Sequence, residues 1–224
     1  MACSPEDALG FQEEYGFDAG RIAIIENGVD AIGAPVVPAE ARERLRERLG
    51  LSTRLVAVFG GSHHHPNFEA ARRVVEVAAD LPHMAFVFMG GVCHHETLTN
   101  AKAPNVVCLG EIDESAKWLI YRIADIGLNP MELGSGTNIK MFEYAAAGLA
   151  VLSTPFGARG AKLDPGTELM IGDIADLKAD LGALTFADRD RLRAMGERAR
   201  RKVTELSDWS AIGKRYVECF RAVT

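Results

Sequence analysis

Asn129-Pro130-Met131-Glu132-Leu133-Gly134-Ser135-Gly136-Thr137-Asn138-Ile139-Lys140-Met141-Phe142-Glu143 reads as the end of a buried strand, a glycine-rich loop and the first turns of a helix. Lys140 stands where that helix begins. A cation is unfavourable there, because a helix N-terminus already carries partial positive charge. A local rule broken in this way calls for something anionic opposite. Exposed amides, glycines that let backbone approach closely and a nearby ammonium together describe a phosphate cradle. The glycine spacing fits neither the dinucleotide fingerprint nor the Walker loop.

Outward from this stretch the chain keeps a regular rhythm. Apolar runs at 55–60, 85–90, 105–109, 125–128, 150–154 and 169–171 alternate with helical segments. That alternation predicts parallel βαβ units. The runs are continuously apolar, so the strands are expected to be covered on both faces. Asp113 is placed to cap a helix that runs to residue 123, and Gly148 to end the helix of the opening stretch. The expected fold is α/β, a Rossmann-like parallel sheet with helices on both faces and a helical C-terminal segment. Before the rhythm, residues 4–17 read as a helix with Ser4 as cap, Pro5 at its first position and Gly16 as stop. Residues 21–25 read as a short strand, 31–38 as a linker and 39–49 as a charged helix. Helices are expected at 174–184, 188–205 and from 208 to the end.

The 224 residues carry a net charge of −6, with 48% hydrophobic and 25% charged residues. This excludes a generic nucleic-acid coat, which needs a basic face. The four cysteines, Cys3, Cys93, Cys108 and Cys219, show no zinc-knuckle or redox-pair spacing. Cys108 is expected in a buried strand as a small hydrophobe. Reduced thiols and a cytoplasmic protein are expected. No apolar run approaches the roughly 20 residues that span a bilayer, and the N-terminus lacks a signal-peptide pattern.

Four pieces resemble the C-terminal, donor-binding half of a family 4 glycosyltransferase with the GT-B fold. Ile24-Ile25-Glu26-Asn27-Gly28-Val29-Asp30 is similar to that family's interdomain crossing. Phe59-Gly60-Gly61-Ser62 with Pro66-Asn67 is similar to the glycine turn after the first strand of the donor domain. Residues 134–154 resemble the main signature, and Ser207-Asp208-Trp209 the start of the closing helix. The resemblance implies three parts: 1–30, a remnant of an N-terminal domain with the crossing; 31–206, the donor-binding domain; and 207–224, the closing helix. The N-terminal acceptor domain is expected to lie outside this chain, which would then be a piece of a longer protein, a shortened gene or a lone donor module. Such a chain alone is expected to turn over little, and exposed apolar surface around 1–30 and the last helix would offer a dimer contact.

Two departures bear on the site. The family usually carries two glutamates eight positions apart. Glu143 fits the second, but Ser135 stands at the first. The basic pair after the first donor-domain strand is replaced by residues 62–65. A sub-group of the family uses a glycine-rich loop and a lysine here. The resemblance implies a nucleoside-diphosphate sugar of UDP or GDP type as substrate, with no cofactor and no metal. By it, Gly60, Gly61, Ser62, Gly136, Thr137, Asn138, Ile139 and Lys140 would hold the diphosphate. Lys140 and Glu143 would be the residues of the chemistry, with Glu143 on the ribose. Glu132, Gly134 and Ser135 would border the sugar, and Leu109, Gly110 and Ile112 the base.

Each has a plainer reading beside it. The loop is also an ordinary strand-to-helix turn, Lys140 a surface lysine, and Glu143 its ion-pair partner at i+3. His63-His64-His65 and His94-His95 follow neighbouring strands. They read as polar loop residues rather than as a zinc site, for want of helical ligand spacing. Arg159 and Lys162 read as solvated surface or as added charge near the sugar, Trp209 as a packing anchor. A non-catalytic binding or assembly module, and a sugar-nucleotide epimerase of related fold, stay as alternatives.

Overall fold

A computed structural model describes residues 1–34, 37–134 and 136–223. Six strands form one sheet: β1 Leu55–Gly60, β2 Met84–Met89, β3 Val106–Cys108, β4 Ile126–Asn129, β5 Ala150–Ser153 and β6 Met170–Ile171. All pairings are parallel, in the order β3-β2-β1-β4-β5-β6. Register follows burial: Val56 lies opposite Ala85 of β2, and Gly127 of β4 opposite Val151 of β5. The helices are α1 Pro5–Tyr15, α2 Ala39–Arg48, α3 His65–Ala78, α4 Glu96–Thr99, α5 Glu114–Ile123, α6 Ile139–Ala146, α7 Leu177–Gly182, α8 Arg189–Leu206 and α9 Trp209–Val223.

Successive strand residues point to opposite faces, and this splits the core in two. Leu55, Ala57 and Phe59 join Val74, Leu81, Leu181 and Leu192 on one side. Val56 and Val58 join Tyr121, Tyr144, Ala145 and Val203 on the other. Each such aliphatic or aromatic side chain, fully buried, contributes about 1.5–3 kcal/mol. Gly127 in β4 is a packing requirement: a Cβ there would lie 2.5 Å from the ring of Tyr144. The missing side chain lets Tyr144 lie against the strand and reach β1.

The strand order reverses between β1 and β4, so the loops after them diverge and leave a crevice at their carboxyl ends. The opposite edge is closed by charge. Arg46 is fully buried. Its guanidinium donates to Asp125 at 2.9 Å and to the carbonyls of Ile123, Leu51 and Arg54. Asp125 also accepts from Val56 N at 2.9 Å and from Arg189 Nε at 2.9 Å. Arg189 grips Glu43 with two bonds of 2.7 and 2.8 Å, and Arg193 adds a third at 2.5 Å. The Arg189 hydrogen bonds, helped by Arg193, bring the Glu43 carboxyl down to about 2. This network joins α2, β1, β4 and α8.

Two of the short resemblance motifs meet in space. Val29 N donates to Ser207 O at 2.9 Å, and Trp209 N to Val29 O at 3.1 Å. The Asp208 carboxylate accepts from Ala31 N and Ile32 N at 3.1 and 3.0 Å. Trp209 packs its ring against Gly28 but stays 53% exposed, a looser anchor than the sequence suggests.

Two expectations need correction. Residues 21–25 form no strand: a 3-10 turn covers Ala19–Arg21, and Ile24 makes only an isolated bridge to Ala2. Cys108 is exposed, because β3 is the sheet edge, and its thiol lies beside that of Cys93. The linker at 31–38 falls partly outside the described residues, as does Ser135. Ser4 and Asp113 cap α1 and α5 as expected, accepting from Asp7 N at 3.1 Å and Ala116 N at 2.8 Å. Among the described residues no helix is long and apolar enough to cross a membrane.

Candidate functional site

The crevice beyond β1 and β4 is a cleft of about 720 Å³. One wall is the turn Gly60-Gly61-Ser62 with the start of α3. The facing wall is the loop after β4 and the first turns of α6. Ile112, Lys117 and Tyr121 close one end. Gly134 and Gly136 have φ of 127° and 68°, which only glycine adopts freely. The loop is braced from outside: Arg159 donates to Gly136 O at 3.2 Å with its guanidinium over Phe156. Asn27 donates to Thr137 Oγ1 at 2.6 Å, so the crossing segment touches the loop.

Asn138 occupies the cap position of α6, yet its side chain makes no capping bond. It donates instead to Gly157 O at 3.2 Å. Met141 N donates to Asn138 O at 3.0 Å, which leaves the Ile139 and Lys140 amides without an acceptor among the described residues, and such amides at a helix start favour an anion. Lys140 lies in the same turn. Its Nζ donates to Asn67 Oδ1 at 2.7 Å and sits 4.2 Å from the centre of the Phe59 ring. Among the described residues no carboxylate pairs with it. Burial outweighs the distant attraction of Glu143 and brings the Lys140 ammonium down to about 7.

Asn67 in turn donates to Ser62 O and Oγ, both at 3.2 Å. One amide thus couples the β1 turn to the α6 lysine. Glu143, one turn along α6, does not pair with Lys140. Its Oε1 is 2.9 Å from Lys117 Nζ, and its Oε2 accepts from Tyr121 OH at 3.0 Å. Tyr121 meets Tyr144 edge-on at 5.1 Å, and Tyr144 OH accepts from Gly60 N at 2.8 Å. Burial and the nearby Glu143 charge push both phenols up, so both stay protonated.

Of the residues singled out in the sequence, Gly60, Gly61, Ser62, Ile112, Gly134, Thr137, Asn138, Ile139, Lys140 and Glu143 line this cleft. Gly136, Leu109 and Gly110 do not. Gly110 O accepts from Gly90 N at 2.7 Å and ties two loops behind the rim. Glu132 lines a neighbouring hollow of about 330 Å³ with Arg72 and Arg73. Sequence reading missed Asn67's link to Lys140, and missed Lys117, Tyr121 and Tyr144 altogether. Their one signal is a tyrosine and a lysine four residues apart on an amphipathic helix, which reads equally as core and surface.

The histidines spread out. His63 and His95 flank Phe68, with ring centres 4.8 and 4.0 Å away, while His64 lines the cleft. Among the described residues no group of three or more His, Cys, Asp or Glu is arranged to hold a metal. Lys162 pairs with Glu26 rather than reaching the cleft.

Solved structures share this architecture. A glycosyltransferase from Rickettsia africae superposes over 99% of this chain and 62% of its own, with TM-score 0.83 at 17% identity. Anabaena HepE in complex with UDP-glucose superposes over 99% of this chain and 63% of its own, with TM-score 0.80 at 16% identity. The C-terminal domain of the glycosyl transferase LpcC from Francisella tularensis is covered completely by 81% of this chain, with TM-score 0.61 at 17% identity. The chain thus spans under two thirds of the first two of these chains and carries one domain of the GT-B fold. No curated protein sequence matches it significantly. Residues 65–217 match the model of the family described as glycosyl transferase-like. That match includes α3, the glycine loop, Lys140 and Glu143, and the chain belongs to the glycosyl transferase-like family.

Proposed function

We propose that this chain is the donor-binding half of a family 4 glycosyltransferase and holds a nucleoside-diphosphate sugar of UDP or GDP type. The observation that carries this reading is the pairing of uncapped α6 amides with Lys140, a cation without a carboxylate partner, across the cleft from the Gly60-Gly61-Ser62 turn. The diphosphate lies against both turns. Lys140 leaves Asn67 for it and balances the charge that grows on the leaving diphosphate as the sugar–phosphate bond breaks. That bond's electron pair departs with the phosphate, the acceptor hydroxyl oxygen bonds to the anomeric carbon with retention of configuration, and its proton passes to the departing phosphate oxygen. Glu143 accepts from the ribose hydroxyls. Gly134 borders the sugar, and Ile112 borders the base.

The acceptor comes from a domain outside this chain, in a cytoplasmic enzyme. HepE, bound to UDP-glucose, lends the donor class support. The test is titration calorimetry of UDP, GDP and their glucose conjugates into the chain. Lys140→Ala should weaken diphosphates far more than the parent nucleosides. A folded chain that binds none of these ligands would overturn the reading. One observation favours a second reading, a non-catalytic nucleotide-binding module: Glu132 lines the neighbouring hollow instead of the cleft. A complete two-domain protein that transfers sugar would dispose of it.

A further inference from the structure

Lys117 projects from α5 into the cleft wall between two carboxylates. Its Nζ is 2.9 Å from Glu143 Oε1 and 2.9 Å from Glu114 Oε2. Burial works against its charge, but the two carboxylates prevail and hold its ammonium above the ordinary lysine range. It is therefore a permanent donor. Tyr121, one turn further along α5, gives its hydroxyl to Glu143 Oε2 at 3.0 Å. Both oxygens of Glu143 are thus held from the same helix, one donor each.

A carboxylate offers about two acceptor sites per oxygen. With one site on each oxygen occupied, the group can no longer spin. About one acceptor site on each of the two neighbouring oxygens remains. That arrangement matches a pair of neighbouring hydroxyls on a sugar ring, and fits a single hydroxyl less well. Glu143 lines the cleft, so the free sites have a cavity in front of them.

We propose that Lys117 is the positioning residue that fixes Glu143 for a cis-diol, so that the cleft selects ribonucleoside diphosphates over their 2′-deoxy counterparts. This rests on the donor-nucleotide reading above. Tyr121 serves the same end at the second oxygen, and Glu114 keeps Lys117 charged when the diol draws on Glu143.

The test is titration calorimetry with UDP against dUDP, and GDP against dGDP, on the whole 224-residue chain. Lys117→Met keeps the length of the side chain and removes the donor. It should cut the preference for ribose by about tenfold, the scale of one charged hydrogen bond. The loss should fall on the ribonucleotide and leave the deoxynucleotide nearly unchanged. Lys117→Arg should restore most of the preference. A Lys117→Met protein that keeps the preference, or that weakens both nucleotides equally, would overturn the proposal. Should that variant misfold, Tyr121→Phe carries the same test through the other oxygen, with an unchanged preference again contrary. Wild-type protein that binds ribo- and deoxynucleotides alike would sink this inference alone. Wild-type protein that binds neither would sink the donor reading beneath it.

Discussion

At the amino-terminal edge of the sheet, Arg46, Arg189 and Arg193 are each paired with a carboxylate, Asp125 or Glu43. At the carboxyl edge, Lys140 has, among the described residues, only an amide oxygen, a thioether and an aromatic face. Both edges remove a cation from water, at a cost of several kcal/mol unless a partner compensates. One edge pairs its cations with carboxylates, though Arg46 Nε is left without a partner among the described residues, and ties four elements together. The other leaves its cation under-compensated, beside uncapped amides. Saturated charge holds a fold, whereas unsaturated charge beside a cavity is available to a ligand.

The largest effect is expected where the charges are saturated. Arg46→Met leaves Asp125 with Arg189 as its one cation among the described residues and takes the donor from the carbonyls of Ile123, Leu51 and Arg54. It should cost about 3–5 kcal/mol in chemical unfolding, while the folded fraction keeps its nucleotide affinity. An Arg46→Met protein of unchanged stability would break the contrast.

Lys140→Met should do the reverse. Its melting temperature at neutral pH should rise, since a poorly compensated, half-buried cation is removed. Diphosphate affinity should fall by about tenfold to a hundredfold, the range for a lost charged hydrogen bond. A lower melting temperature would mean that Lys140 is structural.

The two edges should answer pH with the same sign but in different windows, each adding stability as pH rises. Glu43 is depressed to about 2 by its arginines, so its contribution is complete above about pH 4.5 and is lost as pH falls towards 2. Lys140 is depressed to about 7. The unfolded chain therefore binds more protons than the native one above that pH, and the Lys140 contribution to stability grows as pH rises towards its unfolded value near 10.4. Stability curves of Glu43→Gln and Lys140→Met, set against wild type, should lose the acid and the alkaline limb respectively. Loss of the same limb in both would show that the edges are not independent.

The smallest effect is expected from Gly127→Ala. The added methyl meets the Tyr144 ring and should cost about 1–3 kcal/mol. By moving Tyr144 off Gly60 N, it should also weaken nucleotide binding severalfold. Stability loss with full binding would uncouple Tyr144 from the cleft.

The sequence made the sheet legible because each strand is a continuous apolar run between helices. It misled where a strand depends on a partner. Residues 21–25 have strand composition, but no neighbour is in reach beyond Ala2. Cys108 looked buried because hydrophobicity does not reveal which strand lies at an edge. In the site, the α6 lysine and the glycine loop were legible because they are local and break a local rule. Lys117, Tyr121 and Asn67 were not, since each matters through a contact between helices far apart in sequence. Glu132 looked like a site residue by proximity in the chain, but the turn after β4 carries it to the neighbouring hollow.

The most direct test of an anion site at Lys140 is calorimetry of UDP and GDP in buffers of different ionisation heat, above about pH 7. A diphosphate that meets the Lys140 amine should restore its proton. Binding should then take up a fraction of a proton in the wild type and none in Lys140→Met. Binding without proton uptake, or equal uptake in both proteins, would contradict the account.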